Sequence, residues 1–359
     1  MLDRRTLLTG VGAAAGMTAM AMSGPAAGAF RVSLRDAARS GGRYFGAAVR
    51  MDQIAAEPSL HSALLEDCDS LTPEIHLKWD ALQPAREVWT TEPADRLIAF
   101  AQRNGMKVRG HALLWDQSTP AWARSAIADG DWSVIEAHFR TVLGRYAEKV
   151  DEWDVVNEPI DAPQGKGGLR DNLFHRGLGP DYVARALTTA RALAPKARLM
   201  INEYGFEYDN YVEEGRRTAM LRLVESLRKQ GTPLDGVGLQ AHLDLSKGPL
   251  KPEILDRFLR DLADLEVYIA VTELDVNEHD RGLSLRERDR RVADETRRYL
   301  DIVLAHSAVR GVTTWGLSDR HSWLQDQLAA GSPTNRGLPF DRSFQPKPMR
   351  DALVSALAA

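Results

Sequence analysis

Cysteine is almost missing from this chain of 359 residues, which carries only Cys68. No internal disulfide can form, and with no second thiol or metal-ligand spacing nearby Cys68 reads as a small buried apolar residue, so thiol chemistry is not expected as the basis of function. A surplus of positive charge is lacking too: 46 Lys and Arg face 50 Asp and Glu, for a net charge of −4. That balance argues against nucleic acid as a partner. The basic run Leu285-Arg286-Glu287-Arg288-Asp289-Arg290-Arg291 is interleaved with acids, as solvated helix faces are. There is no low-complexity linker and no composition break, hence no sign of an appended binding module.

Residues 1–29 hold the pair Arg4-Arg5, a small-residue apolar run broken by glycines, and Ala27-Gly28-Ala29, which has the small-x-small form of a signal-peptidase site. This is an export signal similar to the twin-arginine type, although an ordinary secretory signal can also carry two arginines, with a cut before Phe30. A membrane anchor is the weaker reading, because the run is short and rich in poor span formers. The mature chain, 30–359, is therefore expected to be periplasmic or secreted, one catalytic domain with no membrane partner.

From residue 45 onward, apolar strand-like runs alternate with amphipathic stretches. The predicted strands are 45–49, 75–79, 107–114, 152–157, 198–203, 236–243, 267–274 and 311–317. Helical patterns, with apolar residues at three- and four-residue steps, cover 93–104, 133–149, 181–193, 214–229, 252–265 and 286–306. Eight repeats of strand then helix predict an α/β fold, a single (β/α)₈ TIM barrel, rather than an open doubly wound sheet. No phosphate-cradling glycine motif follows the first strand.

The organising stretch is Trp153-Asp154-Val155-Val156-Asn157-Glu158-Pro159. Val155 and Val156 favour a packed pleat and Pro159 cannot extend the ladder, so the fourth strand delivers Asn157 and Glu158 to its C-terminal lip. In a parallel barrel that lip is where catalytic groups gather. The other strand ends are equally polar. The second offers Glu74 and Lys78, the third His111 and Trp115, the sixth Gln240 and His242, the seventh Glu273 and Asp275, and the eighth Trp315 with Trp323 beyond it. Strand alternation puts Gln240 with His242 and Glu273 with Asp275, and inward polar groups need partners or a substrate. Glu158 and Glu273 face each other across the barrel axis, as a proton donor and a nucleophile must to cleave a glycosidic bond. Trp89, Trp132 and Trp153 read as structural. A metal site built from His111, His242 and Asp275 lacks the usual paired-histidine spacing and would set Lys78 beside a cation, so neither metal nor cofactor is expected.

Several segments together resemble family-ten glycoside hydrolases, the endo-1,4-β-xylanases. They are Leu71-Thr72-Pro73-Glu74 with Lys78-Trp79, Arg109-Gly110-His111 with Trp115, Trp153 through Pro159, Gln240-Ala241-His242, Thr272-Glu273-Leu274-Asp275, and Thr314-Trp315-Gly316 with Ser322-Trp323. The likeness runs from Phe45 to Pro348. It implies a monomeric, retaining, endo-acting enzyme on xylan or xylo-oligosaccharides, with Glu158 as acid/base and Glu273 as nucleophile. It further implies that His242 lies against Glu273, oriented by Asp275, and that Asn157 binds the 2-hydroxyl of the sugar under attack. Glu74, Lys78, His111 and Trp115 would hold the glycone sugars, Trp315 and Trp323 would line the sugar nearest the cut, and Gln240 joins the substrate contacts.

The chain departs from the family pattern at the glycone side. Ile75 stands where the family has Asn, Asp116 and Ser118 replace the His and Gln of Trp-His-x-Gln-x-Pro, and Asn202-Glu203-Tyr204-Gly205 replaces Asn-Asp-Tyr-Asn. A weaker, less xylose-specific second glycone position is expected, or one adapted to a different or decorated β-glycan. A non-catalytic sugar-binding barrel is disfavoured, because both glutamates and His242 are retained.

Overall fold

The computed structural model describes residues 31–161 and 168–359. The expected export signal and its cut before Phe30 lie outside the described residues. From Val32 to Ala359 the chain forms one compact unit. Its strands are β1 (Tyr44–Val49), β2 (Ser70–Pro73), β3 (Lys107–Gly110), β4 (Glu152–Asn157), β5 (Arg198–Glu203), β6 (Gly236–Leu239), β7 (His242–Asp244), β8 (Tyr268–Asn277) and β9 (Val309–Thr314). Every pairing is parallel; β1 pairs with both β2 and β9, and β6 pairs with β8, which closes eight strands into a barrel. The three-residue β7 pairs with β8 only, setting His242 opposite Asp275. The (β/α)₈ barrel predicted from the sequence is thus the fold.

Both faces of the strands are buried, which is why they read as continuous apolar runs rather than alternating ones. Helices cover the outside: Pro252–Asp264 starts on a proline suited to a first helical turn and buries Leu255, Phe258, Leu259 and Leu262, one face at helical spacing. No described helix is long and apolar enough to cross a membrane. Cys68 is buried, as expected.

Three predicted strands need correction. The second is not 75–79 but β2, which stops at Pro73; residues 75–78 form a turn closed by Lys78 N donating to Ile75 O at 3.0 Å, and Trp79 opens the short helix Trp79–Leu82. The apolar content of 75–79 serves that turn, since Leu77, Trp79 and Leu82 are buried beneath it. The third strand ends at Gly110 rather than 114. The predicted strand 236–243 is two pieces, interrupted by Ala241 at φ 59°, a left-handed conformation that no ladder residue adopts.

Candidate active site

The C-terminal lips of the strands surround a cavity of about 430 Å³. Glu74, Lys78, His111, Trp115, Asn157, Glu158, Gln240, His242, Glu273, Trp315 and Trp323 all line it. Asp275 lies one step back, fully buried, where its Oδ1 meets His242 Nδ1 at 2.8 Å and its Oδ2 accepts from Trp323 Nε1 at 2.6 Å.

The two glutamates occupy unlike surroundings. Glu273 is buried, with Oε1 accepting from Asn202 Nδ2 at 2.6 Å and Oε2 meeting His242 Nε2 at 3.2 Å. Burial alone would push its pKa up, but the His242 hydrogen bond, the charges of His111 and His242 and the Asn202 amide outweigh it and hold Glu273 at about 2. His242 sits between two carboxylates. Burial opposes its charge, yet Asp275 and Glu273 raise its pKa well above the ordinary histidine value, so both ring nitrogens donate. Glu158, by contrast, is half-buried and its carboxylate is hydrogen-bonded, among the described residues, by neutral amides, Gln240 Nε2 at 3.3 Å and Asn157 Nδ2 at 3.4 Å, both onto Oε1.

The backbone aims Glu158. Its φ of 55° turns the chain sharply off β4, a conformation that costs a bulky residue of order 1–3 kcal/mol unless the surroundings impose it. They do: Glu158 N donates to Asn202 O at 2.8 Å, and Arg170 Nε donates to Glu158 O at 2.9 Å. Behind the turn, buried Glu203 accepts from Ile160 N at 2.7 Å and pairs with Arg216 at 2.5 Å.

Lys78 Nζ sits 4.7 Å from the Trp115 ring centre and 5.9 Å from that of Trp315. Burial lowers its pKa while Glu273 and Glu74 oppose the fall. Below the cavity floor a charged ladder descends the barrel: His111 Nδ1, 4.0 Å from Glu273 Oε1, meets Asp154 Oδ2 at 2.9 Å; Asp154 binds Arg109, and Arg109 binds Glu152 at 2.5 Å. Among the described residues no cluster of three His, Cys, Asp or Glu is arranged to hold a metal ion.

Sequence reasoning gave no site role to Gln117, Tyr204, Gly205 and Lys247, which also line the cavity, or to Asn202, which lies beneath it. Asn202 Nδ2 donates to Asn157 Oδ1 at 2.8 Å as well as to Glu273, and so ties the two sides together. It carried the signal used elsewhere, a polar residue at a strand's end, on β5. It fits because Gly238 faces it; a Cβ there would lie 2.3 Å from Asn202 Oδ1. Of the residues that break the family pattern, Ile75, Asp116 and Ser118 do not line the cavity, whereas Gly205 does. Asp116 pairs with Arg124 at 3.0 Å, and Ser118 is buried with its hydroxyl donating to Trp115 O at 3.4 Å.

The family model described as Glycosyl hydrolase family 10 matches residues 33–356. The chain belongs to this family. Family-10 relatives include endo-1,4-beta-xylanase 3 of Hypocrea jecorina, 35% identical over 325 residues that cover 89% of this chain and 84% of the relative. Endo-1,4-beta-xylanase B of Thermotoga neapolitana is 32% identical over 284 residues, 77% of each chain. Among solved structures, xylanase 10B from Thermotoga maritima superposes with a TM-score of 0.82 at 30% identity, covering 91% of this chain and 98% of that one. Xylanase 10B from Thermotoga petrophila in complex with xylobiose gives 0.82 at 28% identity, over 91% and 97%.

Proposed function

We propose that this family-10 chain is a retaining endo-β-1,4-xylanase acting on xylan or xylo-oligosaccharides. The observation that carries the proposal is the unequal pair in one cavity: Glu273 held ionised at about 2, and Glu158 hydrogen-bonded, among the described residues, by neutral amides. Such a pair fits a nucleophile and a proton donor. In the first step a Glu273 oxygen forms a bond to the anomeric carbon as the glycosidic bond breaks, and Glu158 gives its proton to the departing oxygen. In the second, Glu158 takes a proton from water, the water oxygen bonds to the anomeric carbon, and Glu273 leaves as carboxylate. Two inversions give net retention.

The neighbours divide the remaining work. His242, steered by Asp275, keeps Glu273 ionised and oriented, and Asn157 offers its amide toward the sugar's 2-hydroxyl. Glu74, Lys78, His111 and Trp115 form the glycone wall with Gln240 deeper in the cleft, and Trp315 and Trp323 present flat apolar faces to the ring at the cut. Because Ile75 and Ser118 stand back from the cavity and Asp116 is engaged by Arg124, we place the missing glycone amide at Gln117, which is exposed and lines the cleft. The chain acts outside the cytoplasm after removal of residues 1–29, as a monomer. The test is release of reducing ends from purified xylan, with oligosaccharides among the first products; no release, or xylose alone from the chain end, overturns the endo-xylanase reading.

A further inference from the structure

The barrel holds a second cavity at its other end. It measures about 440 Å³ and is lined by residues at the N-terminal starts of the strands, with Tyr44, Tyr268 and buried Ser70 among its walls. Four cations surround it: Arg43, Lys107, Arg198 and Arg310. Two carboxylates also line it. Glu152 is bound from inside the barrel by Arg109 at 2.5 Å and by the Tyr44 hydroxyl at 3.2 Å, and Asp151 accepts from Val108 N at 3.2 Å.

None of the four cations has a carboxylate partner among the described residues. Arg43 donates to three carbonyl oxygens, those of Gly41 at 3.3 Å, Val309 at 3.2 Å and Leu304, which fix its guanidinium without neutralising it. Arg198 lies over the Tyr268 ring, 5.3 Å from its centre. Burial and then the Arg310 charge lower the pKa of Arg43, so the two cations repel one another. Some solvent-facing arginines elsewhere pair with acids, such as Arg145 with Asp95 and Arg290 with Glu287. With four cations against the carboxylates of Asp151 and Glu152, positive charge is in excess in this concavity, and such an excess focuses its field on an ion of the other sign.

We propose that this cavity is an anion site for a phosphate-class oxyanion carrying two or more negative charges, held between Arg43, Lys107, Arg198 and Arg310. Guanidinium forks match the oxygens of such an ion, and Arg43 is already fixed in place. The volume equals that of roughly fifteen waters at about 30 Å³ each, which leaves room for an organic substituent on the phosphate.

Calorimetric titration of the full chain with inorganic phosphate and with glycerol phosphate tests the site, with sodium chloride at equal ionic strength as the reference. The proposal expects saturable binding and a rise in melting temperature beyond that in chloride. Lys107→Gln with Arg310→Gln should weaken binding at least about tenfold; both side chains are exposed, so the variant should fold and cleave xylan like the parent. Lys78→Gln, which removes a cation from the catalytic cleft, should leave phosphate binding as it was. Binding of inorganic phosphate identifies a free ion, and binding of the ester alone identifies a ligand with an organic body; either supports the site. No binding of either, an equal response to chloride, undiminished binding in the double variant, or loss of binding in Lys78→Gln overturns it.

Discussion

Two cavities of nearly equal size, about 430 and 440 Å³, occupy the opposite ends of this barrel, and the chain furnishes them by different rules. At the C-terminal end charges answer one another: Glu273 against His242, His242 against Asp275, Lys78 against Glu273 and Glu74, with tryptophan faces between them. At the N-terminal end four cations gather, and neither Asp151 nor Glu152, which line the same cavity, forms an ion pair with any of them. The comparison separates charge that is balanced within the protein, where a neutral sugar can bind and carboxyl chemistry can be tuned, from charge left to be balanced by something else. Between the ends runs the buried ladder of His111, Asp154, Arg109 and Glu152, in which Arg109 pairs with both carboxylates.

The largest effect should come from Glu273→Ala, which is expected to lower kcat/KM on xylan by at least about 10⁴-fold while leaving phosphate binding at the far end intact. Initial rates and calorimetry on the same preparation check both halves; joint loss would show that the two ends are not independent. Glu158→Ala should cost about 10²–10⁴-fold on xylan and far less on an aryl xyloside whose leaving group departs without a proton. Equal losses on the two substrates would reverse the roles of the glutamates.

Cutting the ladder tests what lies between. Arg109→Met leaves Glu152 and Asp154 buried without their cation, and denaturant unfolding should register a loss of about 3–5 kcal/mol. A change below about 1 kcal/mol would mean that the ladder is not what fixes the barrel's interior. A subtler effect is expected at His242. Since its hydrogen bond and charge help hold Glu273 near 2 rather than the ordinary 4.5, His242→Gln should move the acidic limb of the pH profile for kcat/KM upward, by at least about one unit. The depressed pKa also ties Glu273 to stability. Its contribution, at most roughly 3 kcal/mol, is present above pH 4.5 and is lost as pH falls toward 2. An unmoved limb in the variant would separate His242 from the nucleophile's ionisation. Smallest of all, Gln117→Ala should lower kcat/KM up to about tenfold on xylotriose and longer substrates and leave an aryl monoxyloside unchanged, the worth of one sugar hydrogen bond. An equal effect on both substrates would place Gln117 outside the glycone contacts.

The same contrast explains what could be read from the sequence. Strands β4 and β5 were legible to the residue, at 152–157 and 198–203, because each is a buried apolar run closed by a polar end. The stretch 75–79 misled because burial in a strand and burial beneath a strand-to-helix turn ask for the same apolar residues. The break in 236–243 rests on one left-handed alanine, which no periodicity reveals. At the catalytic end, residues such as Glu158, His242 and Glu273 sit in short motifs at strand ends, so the cavity's walls could be assembled before the fold was seen. Asn202 escaped although it obeyed the same rule, and Gln117 escaped because its two altered neighbours drew the attention. The far cavity was illegible for a physical reason. Its cations are single residues from 43 to 310, and only closure of the barrel brings them together.

The account's central claim, that Glu273 attacks the sugar while Glu158 handles the proton, is tested most directly by trapping the covalent intermediate. The chain is incubated with a 2-deoxy-2-fluoro-xylobioside bearing an activated leaving group, digested and read by mass spectrometry. The account predicts one fluoro-sugar on the peptide that contains Glu273, with the β-anomer released first from ordinary substrate. A label on any other residue, or initial release of the α-anomer, would contradict it.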